Sequence, residues 1–157
     1  MRIALASDHA GVDLKRDLAG WLTSRGHDVL DLGVHTYEPA DYPDSAEAIA
    51  AVLGEGQADR GILVCGSGAG VSVAANKFPG IRAAVCHDHY TAHQAVEHDD
   101  CNVICLGARV VGAALARDLV AGFIDARFGG AERHLRRLAK IHDIELRHFR
   151  DASGAGD

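Results

Sequence analysis

Residues 61–77 read GILVCGSGAGVSVAANK, an apolar run that meets a glycine-rich turn and continues into small and apolar residues. The run GILVC is apolar without alternation, as expected of a strand that is buried on both faces. The glycines at positions 66, 68 and 70 permit a tight turn, and a helix fits the segment near 69–77. The stretch therefore predicts a buried strand, a glycine turn and a helix, the repeating unit of a parallel α/β sheet.

The rest of the chain repeats this alternation. Four more short runs are predicted as strands: RIALA (2–6), DVLDL (28–32), IRAAVC (81–86) and NVICLG (102–107). Helical patterns lie between them, and two more helices are predicted near 111–127 and 130–146. Such alternation predicts a Rossmann-like three-layer α/β sandwich, with a five-stranded parallel sheet and helices on both faces. We expect a single domain over residues 1–149 and a flexible C-terminal tail over 150–157, where the sequence becomes small and polar.

The composition limits the classes of function. The 157 residues are 48% hydrophobic, enough for one sizeable core, and the formal net charge of −6 argues against a nucleic-acid partner. The first residues become polar too soon for a signal peptide, and no apolar run approaches the length of a membrane span. The four cysteines form no C-x-x-C pair. These features predict a cytoplasmic protein with reduced thiols and without a nucleic-acid or membrane partner.

Cys65 ends the strand of the opening stretch and is followed at once by glycine. The loop after it has neither the Gly-Lys-Ser/Thr of a P-loop nor the glycine spacing of a dinucleotide site. Such a turn before a helix can bind an anion through its N–H groups, or it can be purely structural. A thiol beside oriented N–H groups has its thiolate favoured, which suits a nucleophile or a general base.

Other polar groups have both a functional and a structural interpretation. The pair Asp8-His9 follows the first strand and could bind a ligand or only cap the next helix. The run His98-Asp99-Asp100 is often only a solvated turn. Arg133 and Arg137 are four residues apart and share one helix face, so they could clamp a phosphate or form a solvated basic face.

A metal site is a further alternative. His89, His93 and Glu97 follow one another at four-residue intervals, a spacing that can bind a transition metal. No other carboxylate or thiol is clearly placed to complete the site, so we expect no metal. The corresponding alternative function, a metal-dependent hydrolase, would be sensitive to EDTA.

Seven stretches form a more specific pattern: SDHAG (7–11), DYP (41–43), CGSGAGVSVAANKFPGIRA (65–83), HDHYTA (87–92), EHDDCNV (97–103), LGARVVG (106–112) and ERHLRR (132–137). Together they resemble the ribose-5-phosphate isomerase B family, which includes the galactose-6-phosphate isomerase subunits. The similarity covers nearly all of residues 1–145. It implies an aldose–ketose isomerase of a phosphorylated sugar that needs no metal or organic cofactor. It also implies a homodimer, or a tetramer, whose active sites are shared between subunits.

The resemblance implies roles for individual residues. Cys65 resembles the base that moves a proton between C2 and C1 through an enediolate, and His98 resembles the acid that opens the furanose ring, with Asp8 as its counterpart. Some relatives have glycine in place of the cysteine and use a glutamate of the loop, where this chain has Val71. Ser67 would assist near the thiol. The N–H groups that would stabilise the oxyanion belong to Gly66, Ser67, Gly68, Ala69 and Gly70.

The same resemblance implies the substrate contacts. His9, Arg109, Arg133 and Arg137 resemble phosphate ligands, the last two reaching in from the partner subunit. Tyr42 would line the sugar pocket.

Asp99 departs from the family pattern, which commonly has asparagine after the ring-opening histidine. A carboxylate in place of an amide removes two donors and adds a charge near the sugar hydroxyls. It could change the sugar preference, or it could keep His98 protonated as an acid. Ribose 5-phosphate is the default substrate, and a tetrose or hexose phosphate such as allose or galactose 6-phosphate is the alternative. A non-catalytic sugar-phosphate-binding subunit is the other alternative.

Overall fold

Five strands and six α-helices form in residues 1–150, the part of the chain that the computed structural model describes. The strands are β1 (Arg2–Ser7), β2 (Asp28–Asp31), β3 (Arg60–Cys65), β4 (Ala83–Val85) and β5 (Val103–Gly107). The helices are α1 (Val12–Ser24), α2 (Tyr42–Gly54), α3 (Ala69–Ala75), α4 (His89–Asp99), α5 (Ala113–Asp125) and α6 (Glu132–Arg150). A 3-10 turn at His9–Gly11 joins β1 to α1.

The strands form one parallel sheet in the order β2-β1-β3-β5-β4. The chain first adds a strand to one side of β1 and then continues on the other side, so the strand order reverses between β1 and β3. We call the edge where the strands end the carboxyl edge, and the edge where they begin the amino edge. A crevice forms at the carboxyl edge of such a reversal, because the connections leave β1 and β3 in opposite directions.

Helices cover both faces of the sheet, as predicted. Side chains of α1, α4 and α5 pack on one face, and those of α2 and α3 pack on the other. From Gly61 to Cys65 every residue of β3 is buried, which explains its unbroken apolar sequence. The layers approach closely at Gly61, where an added Cβ would lie 2.6 Å from Cγ2 of Ile49 on α2. The prediction of a three-layer α/β sandwich is confirmed.

Two element boundaries differ from the prediction. The strand predicted over 81–86 is reduced to the three residues of β4, at the edge of the sheet. Just before it, the backbone N–H of Arg82 donates to the side-chain Oδ1 of Asn102, so a side chain takes the place of a strand partner. The last helix, predicted over 130–146, extends to Arg150. The predicted tail over 150–157 therefore begins inside the end of α6, and residues 151–157 lie outside the described residues.

Candidate active site

Asp8 and His9 follow β1 at the carboxyl edge. Asp8 is buried, and its Oδ1 accepts the N–H groups of Ala10 at 2.9 Å and Gly11 at 3.2 Å. Asp8 therefore caps the 3-10 turn His9–Gly11, and these bonds fix its carboxylate where the sheet order reverses. Gly11 is required at this point, because an added Cβ would lie 2.7 Å from the carbonyl oxygen of Val64.

The imidazole of His9 is oriented by the connection between β2 and α2. The N–H of Ala40 donates to Nδ1 at 3.1 Å, the shorter of two contacts with Ala40; its carbonyl oxygen lies 3.3 Å away. The neutral tautomer that accepts this hydrogen bond at Nδ1 carries its proton on Nε2, whereas the other tautomer would donate from Nδ1 to the carbonyl oxygen of Ala40. The other side of the ring then offers an N–H donor, the group that a phosphate oxygen requires.

Cys65 ends β3 beside this pair, and the glycine turn folds back over its sulfur. The N–H of Gly68 donates to Sγ at 3.1 Å. Gly68 has a φ of +81°, and an added Cβ would lie 3.1 Å from the backbone carbon of Leu106, so only glycine fits without strain. The turn therefore directs the backbone N–H of Gly68 at the thiol of Cys65.

The other three thiols lie in different surroundings. Burial raises the pKa of Cys86 to about 11 and that of Cys101 to about 12. It also raises the pKa of Cys105, on the buried strand β5. Near neutral pH these thiols are protonated. Cys86 and Cys105 are buried at the end of and within apolar runs, whereas Cys101 is half-buried after Asp99 and Asp100.

Arg109, Tyr42 and Ser67 complete the surroundings of the turn. The N–H of Arg109 donates to the carbonyl oxygen of Gly66 at 3.0 Å, and its guanidinium lies over that glycine. The ring of Tyr42, in the first turn of α2, packs so closely on Gly70 that an added Cβ would lie 3.0 Å from it. Ser67 is exposed, and its Oγ accepts the N–H of Ala69 at 3.3 Å.

The structure therefore brings most of the predicted site together. We call this set the carboxyl-edge group; its members are Asp8, His9, Tyr42, Cys65, Gly66, Ser67, Gly68, Ala69, Gly70 and Arg109.

The remaining predicted residues lie at the amino edge. Helix α4 runs back across the sheet, so its last turn, with His98 and Asp99, lies near the start of β4 and β5. Arg82, which precedes β4, marks this position by donating to the carbonyl oxygen of Asp100 at 2.8 Å. The His98 ring stacks on that of His134 in the first turn of α6, with centroids 4.2 Å apart. We call His98, Asp99, Arg133, His134 and Arg137 the amino-edge group.

The two groups are too far apart within one chain to contact the same small molecule. Cys65 pairs with Gly107 in the sheet and Gly61 pairs with Val103, so four residues of strand separate the two levels. At about 3.3 Å per residue this is about 13 Å, and His98 lies beyond the start of β5. The structure does not place Asp8 and His98 of one chain across a common site.

Known proteins share this whole arrangement of sequence and fold. Residues 3–141 of this chain match the sequence model of the family described as ribose/galactose isomerase. The chain belongs to the ribose/galactose isomerase family.

Individual relatives are similar over nearly their full length. Ribose-5-phosphate isomerase B of Escherichia coli is 43% identical over 146 residues, 93% of this chain and 97% of the relative. D-erythrulose-4-phosphate isomerase of Pectobacterium atrosepticum is 41% identical over 134 residues, 83% of this chain and 86% of the relative. The solved structure of ribose-5-phosphate isomerase B from Clostridium thermocellum has 48% sequence identity and a TM-score of 0.92, over 94% of this chain and 99% of that one.

His134 is a residue of this family member that the sequence did not single out. It is 3% exposed, and its Nδ1 has no hydrogen-bond partner among residues 1–150. Burial lowers the pKa of His134, and the nearby charges of Arg133, His98 and Arg137 lower it further. In the sequence, its place between Arg133 and Arg137 on one helix could have pointed to His134. Its burial is evident only from the docking of α6 on α4.

His87, in the stretch HDHYTA, is a second residue to which the sequence assigned no role. Its Nε2 accepts the N–H of Gly107 at 3.1 Å. Gly107 in turn supports the glycine turn, since an added Cβ there would lie 2.7 Å from the backbone carbon of Ser67. His87 therefore supports the floor of the carboxyl-edge group through backbone contacts.

The histidines with metal-like spacing have other partners. His89 lies 3.1 Å from Asp118 on α5, and His93 lies 3.5 Å from Glu97. In the described part of the chain no three His, Cys, Asp or Glu side chains are grouped so as to hold a metal ion. No helix of this part is long and apolar enough to span a membrane.

Proposed function

We propose that this protein interconverts the aldose and ketose forms of a sugar phosphate, with ribose 5-phosphate and ribulose 5-phosphate as the default pair. The observation that carries the proposal is Cys65 at the carboxyl end of β3, with the donor nitrogen of Gly68 3.1 Å from its sulfur and with Asp8 and His9 directly after the adjoining strand β1. Membership of the ribose/galactose isomerase family supports the same reaction class.

Cys65 is the base in this proposal. Its thiolate takes the proton from C2 of the open-chain aldose, and the electrons of that bond form an enediolate whose negative charge develops on O1. The proton of O2 then moves to O1, so that the negative charge lies on O2. The thiol returns its proton to C1 as the electrons of O2 form the ketose carbonyl, which regenerates the thiolate. N–H groups of residues 66–70 stabilise the charge on oxygen, because fixed donors cost no reorganisation during the reaction.

The phosphate binds away from the reacting carbons. His9 presents an Nε2–H, and Arg109 presents a guanidinium beside Gly66 of the glycine turn. Cationic and N–H donors there hold the substrate so that C1 and C2 meet Cys65, and orientation of this kind accounts for a large part of such rate enhancements.

The active unit in this proposal is a homodimer in which the amino-edge group of one subunit closes the carboxyl-edge group of its partner. The separation of the two groups within one chain supports the homodimer. His98 and Cys65 of the same chain are too far apart to act on one substrate, so they can do so only across a subunit interface. Exposed apolar side chains beside the turn, Val73 and Val110, and on α6, Leu135 and Ile144, supply surface for such a contact. The partner's His98 opens the furanose ring, and its Arg133 and Arg137 reach the phosphate.

A cytoplasmic location is also part of the proposal. Cys65, Cys86, Cys101 and Cys105 are all free thiols, as expected in a reducing compartment.

Substrate identity is tested by comparing kcat/KM for aldose phosphates of four, five and six carbons with the purified protein. We expect the highest value with ribose 5-phosphate and no loss of activity in EDTA. A clear preference for a tetrose or hexose phosphate would replace the substrate and keep the mechanism. Absence of ketose formation from every sugar phosphate would instead identify a sugar-phosphate-binding subunit.

A further inference from the structure

Lys15 is a buried cation that the proposed reaction does not use. It lies in the first turn of α1, and only 1% of it is exposed. A buried ammonium is costly unless each of its three N–H groups has an acceptor. Lys15 has three acceptors: the carboxylate of Asp31, the carbonyl oxygen of Leu32 at 3.1 Å and Nδ1 of His35 at 3.4 Å.

All three acceptors belong to residues 31–35, where the chain leaves β2 at the carboxyl edge. We call residues 32–41 the β2–α2 loop. No residue of this loop is buried, and Leu32 at its start packs partly buried against the core. The N–H groups of Leu32 and Val34 donate to the carbonyl oxygens of Leu5 and Ser7 at 2.8 Å and 3.4 Å. Its conformation depends on hydrogen bonds and on the ion pair of Asp31 at its base.

The loop is also held at its middle and at its end. The hydroxyl of Tyr37 donates to Asp13 of α1 at 2.6 Å. At the end of the loop the N–H of Ala40 donates to Nδ1 of His9. Lys15 provides the buried attachment among these, because both Tyr37 and Asp13 are exposed.

We propose that Lys15 is a positioning residue for phosphate recognition. By fixing the base of the β2–α2 loop, it places Ala40 so that the His9 ring keeps its proton on Nε2 and directs it toward the phosphate. The inference rests on the proposed function for the phosphate itself. The orientation of the His9 ring is a separate and measurable property of the protein without substrate.

The decisive variant is Lys15→Met, which keeps the length of the side chain and removes its charge. Its matched control is Leu22→Ala, a change to a fully buried residue in the last turn of the same helix. Four quantities are measured on each: kcat for ribose 5-phosphate, KM for ribose 5-phosphate, inhibition by inorganic phosphate, and the 15N resonances of the His9 ring.

In Lys15→Met we expect KM and the inhibition constant of phosphate to rise about tenfold, the effect of one poorly placed charge-assisted hydrogen bond. We expect kcat to change less than about twofold, because Cys65 is not displaced. The His9 resonances should move toward a mixture of tautomers. Leu22→Ala should lower stability and leave all of these values unchanged.

A Lys15→Met protein that is only less stable, with KM, phosphate inhibition and His9 resonances like those of Leu22→Ala, overturns the proposal. If Lys15→Met does not fold, Asp31→Asn weakens the same attachment without creating a cavity. KM, phosphate inhibition and the His9 resonances must then change in the same direction. The substitution His9→Ala separates the two ideas. If it leaves phosphate inhibition unchanged, the phosphate assignment of the proposed function fails, while the His9 resonances still decide the role of Lys15.

Discussion

Cys65 and Cys105 are the same residue type on neighbouring strands, and both contact the helix layer of α2 and α3. Their difference is the turn after Cys65, which aims the Gly68 N–H at the sulfur. The chemistry therefore depends on a few residues that follow a strand, and the cysteine itself could otherwise have been a core residue.

Cys65→Ala is expected to lower kcat by at least about 1,000-fold, since it removes the base that transfers the proton. Cys105→Ala is the matched control and should retain kcat within about twofold, at a modest cost in stability. Circular dichroism should show that both variants are folded. Retention of substantial isomerase activity by Cys65→Ala would remove the thiol from the mechanism.

At the scale of elements, α6 carries arginines on more than one face. Arg133 and Arg137 flank the buried His134. At about 100° per residue, Arg136 lies about 160° around the helix from His134, on the opposite side. The grouping is a consequence of helical spacing, which brings residues four apart onto one face.

Arg133→Ala and Arg137→Ala should each raise KM for the sugar phosphate about 10- to 100-fold, the loss expected for one charge-assisted hydrogen bond. Arg136→Ala removes the same charge from the same helix and should leave KM unchanged. If all three variants raise KM by the same factor, the loss of net charge explains the effect, and Arg133 and Arg137 do not hold the phosphate specifically.

The contact of α6 with α4 should also make stability depend on pH. Burial lowers the pKa of His134 in the folded chain from the ordinary value of 6.5, so the unfolded chain binds the proton more tightly. The free energy of unfolding should therefore fall as the pH drops below about 6.5. In His134→Asn this fall should be shallower, whereas His142→Asn, at an exposed position on the same helix, should keep the wild-type slope. Urea denaturation between pH 5 and 8 measures the free energy of unfolding of both variants. If it depends on pH equally in the two, His134 is not the group responsible.

At the scale of the whole molecule, a parallel sheet has two edges with different groups on them. Residues after the strands collect at one edge, and residues at the ends of the connecting helices collect at the other. A single chain therefore carries both parts of the proposed site and cannot bring them together.

Subunit complementation tests the shared site directly. Cys65→Ala and His98→Ala should each be inactive alone. Refolded together, about half of the dimers are mixed, and each mixed dimer has one site with both native residues, giving about 25% of wild-type activity. Two copies of the same variant mixed in the same way provide the control. Activity that stays at the level of the single variants would show that Cys65 and His98 do not meet across subunits.

Much of this protein could be predicted from its sequence. Buried runs such as GILVC predict strands because a two-sided sheet requires apolar residues at successive positions, and the turn 66–70 is local to the chain. The carboxyl-edge group was predictable for the same reason, since each of its strand-end residues takes its position from the strand it follows.

Tertiary structure decided what depends on partners distant in sequence. The reduced length of β4 depends on Asn102, and the burial of His134 depends on the docking of α6 against α4. The role of Lys15 depends on Asp31, which ends the next strand, and on His35 after it. The distance between His98 and Cys65 is likewise set by the assembled sheet, because the two residues lie at its opposite edges. Sequence specifies local periodicity and turns, whereas burial and the distance between edges arise only when layers pack.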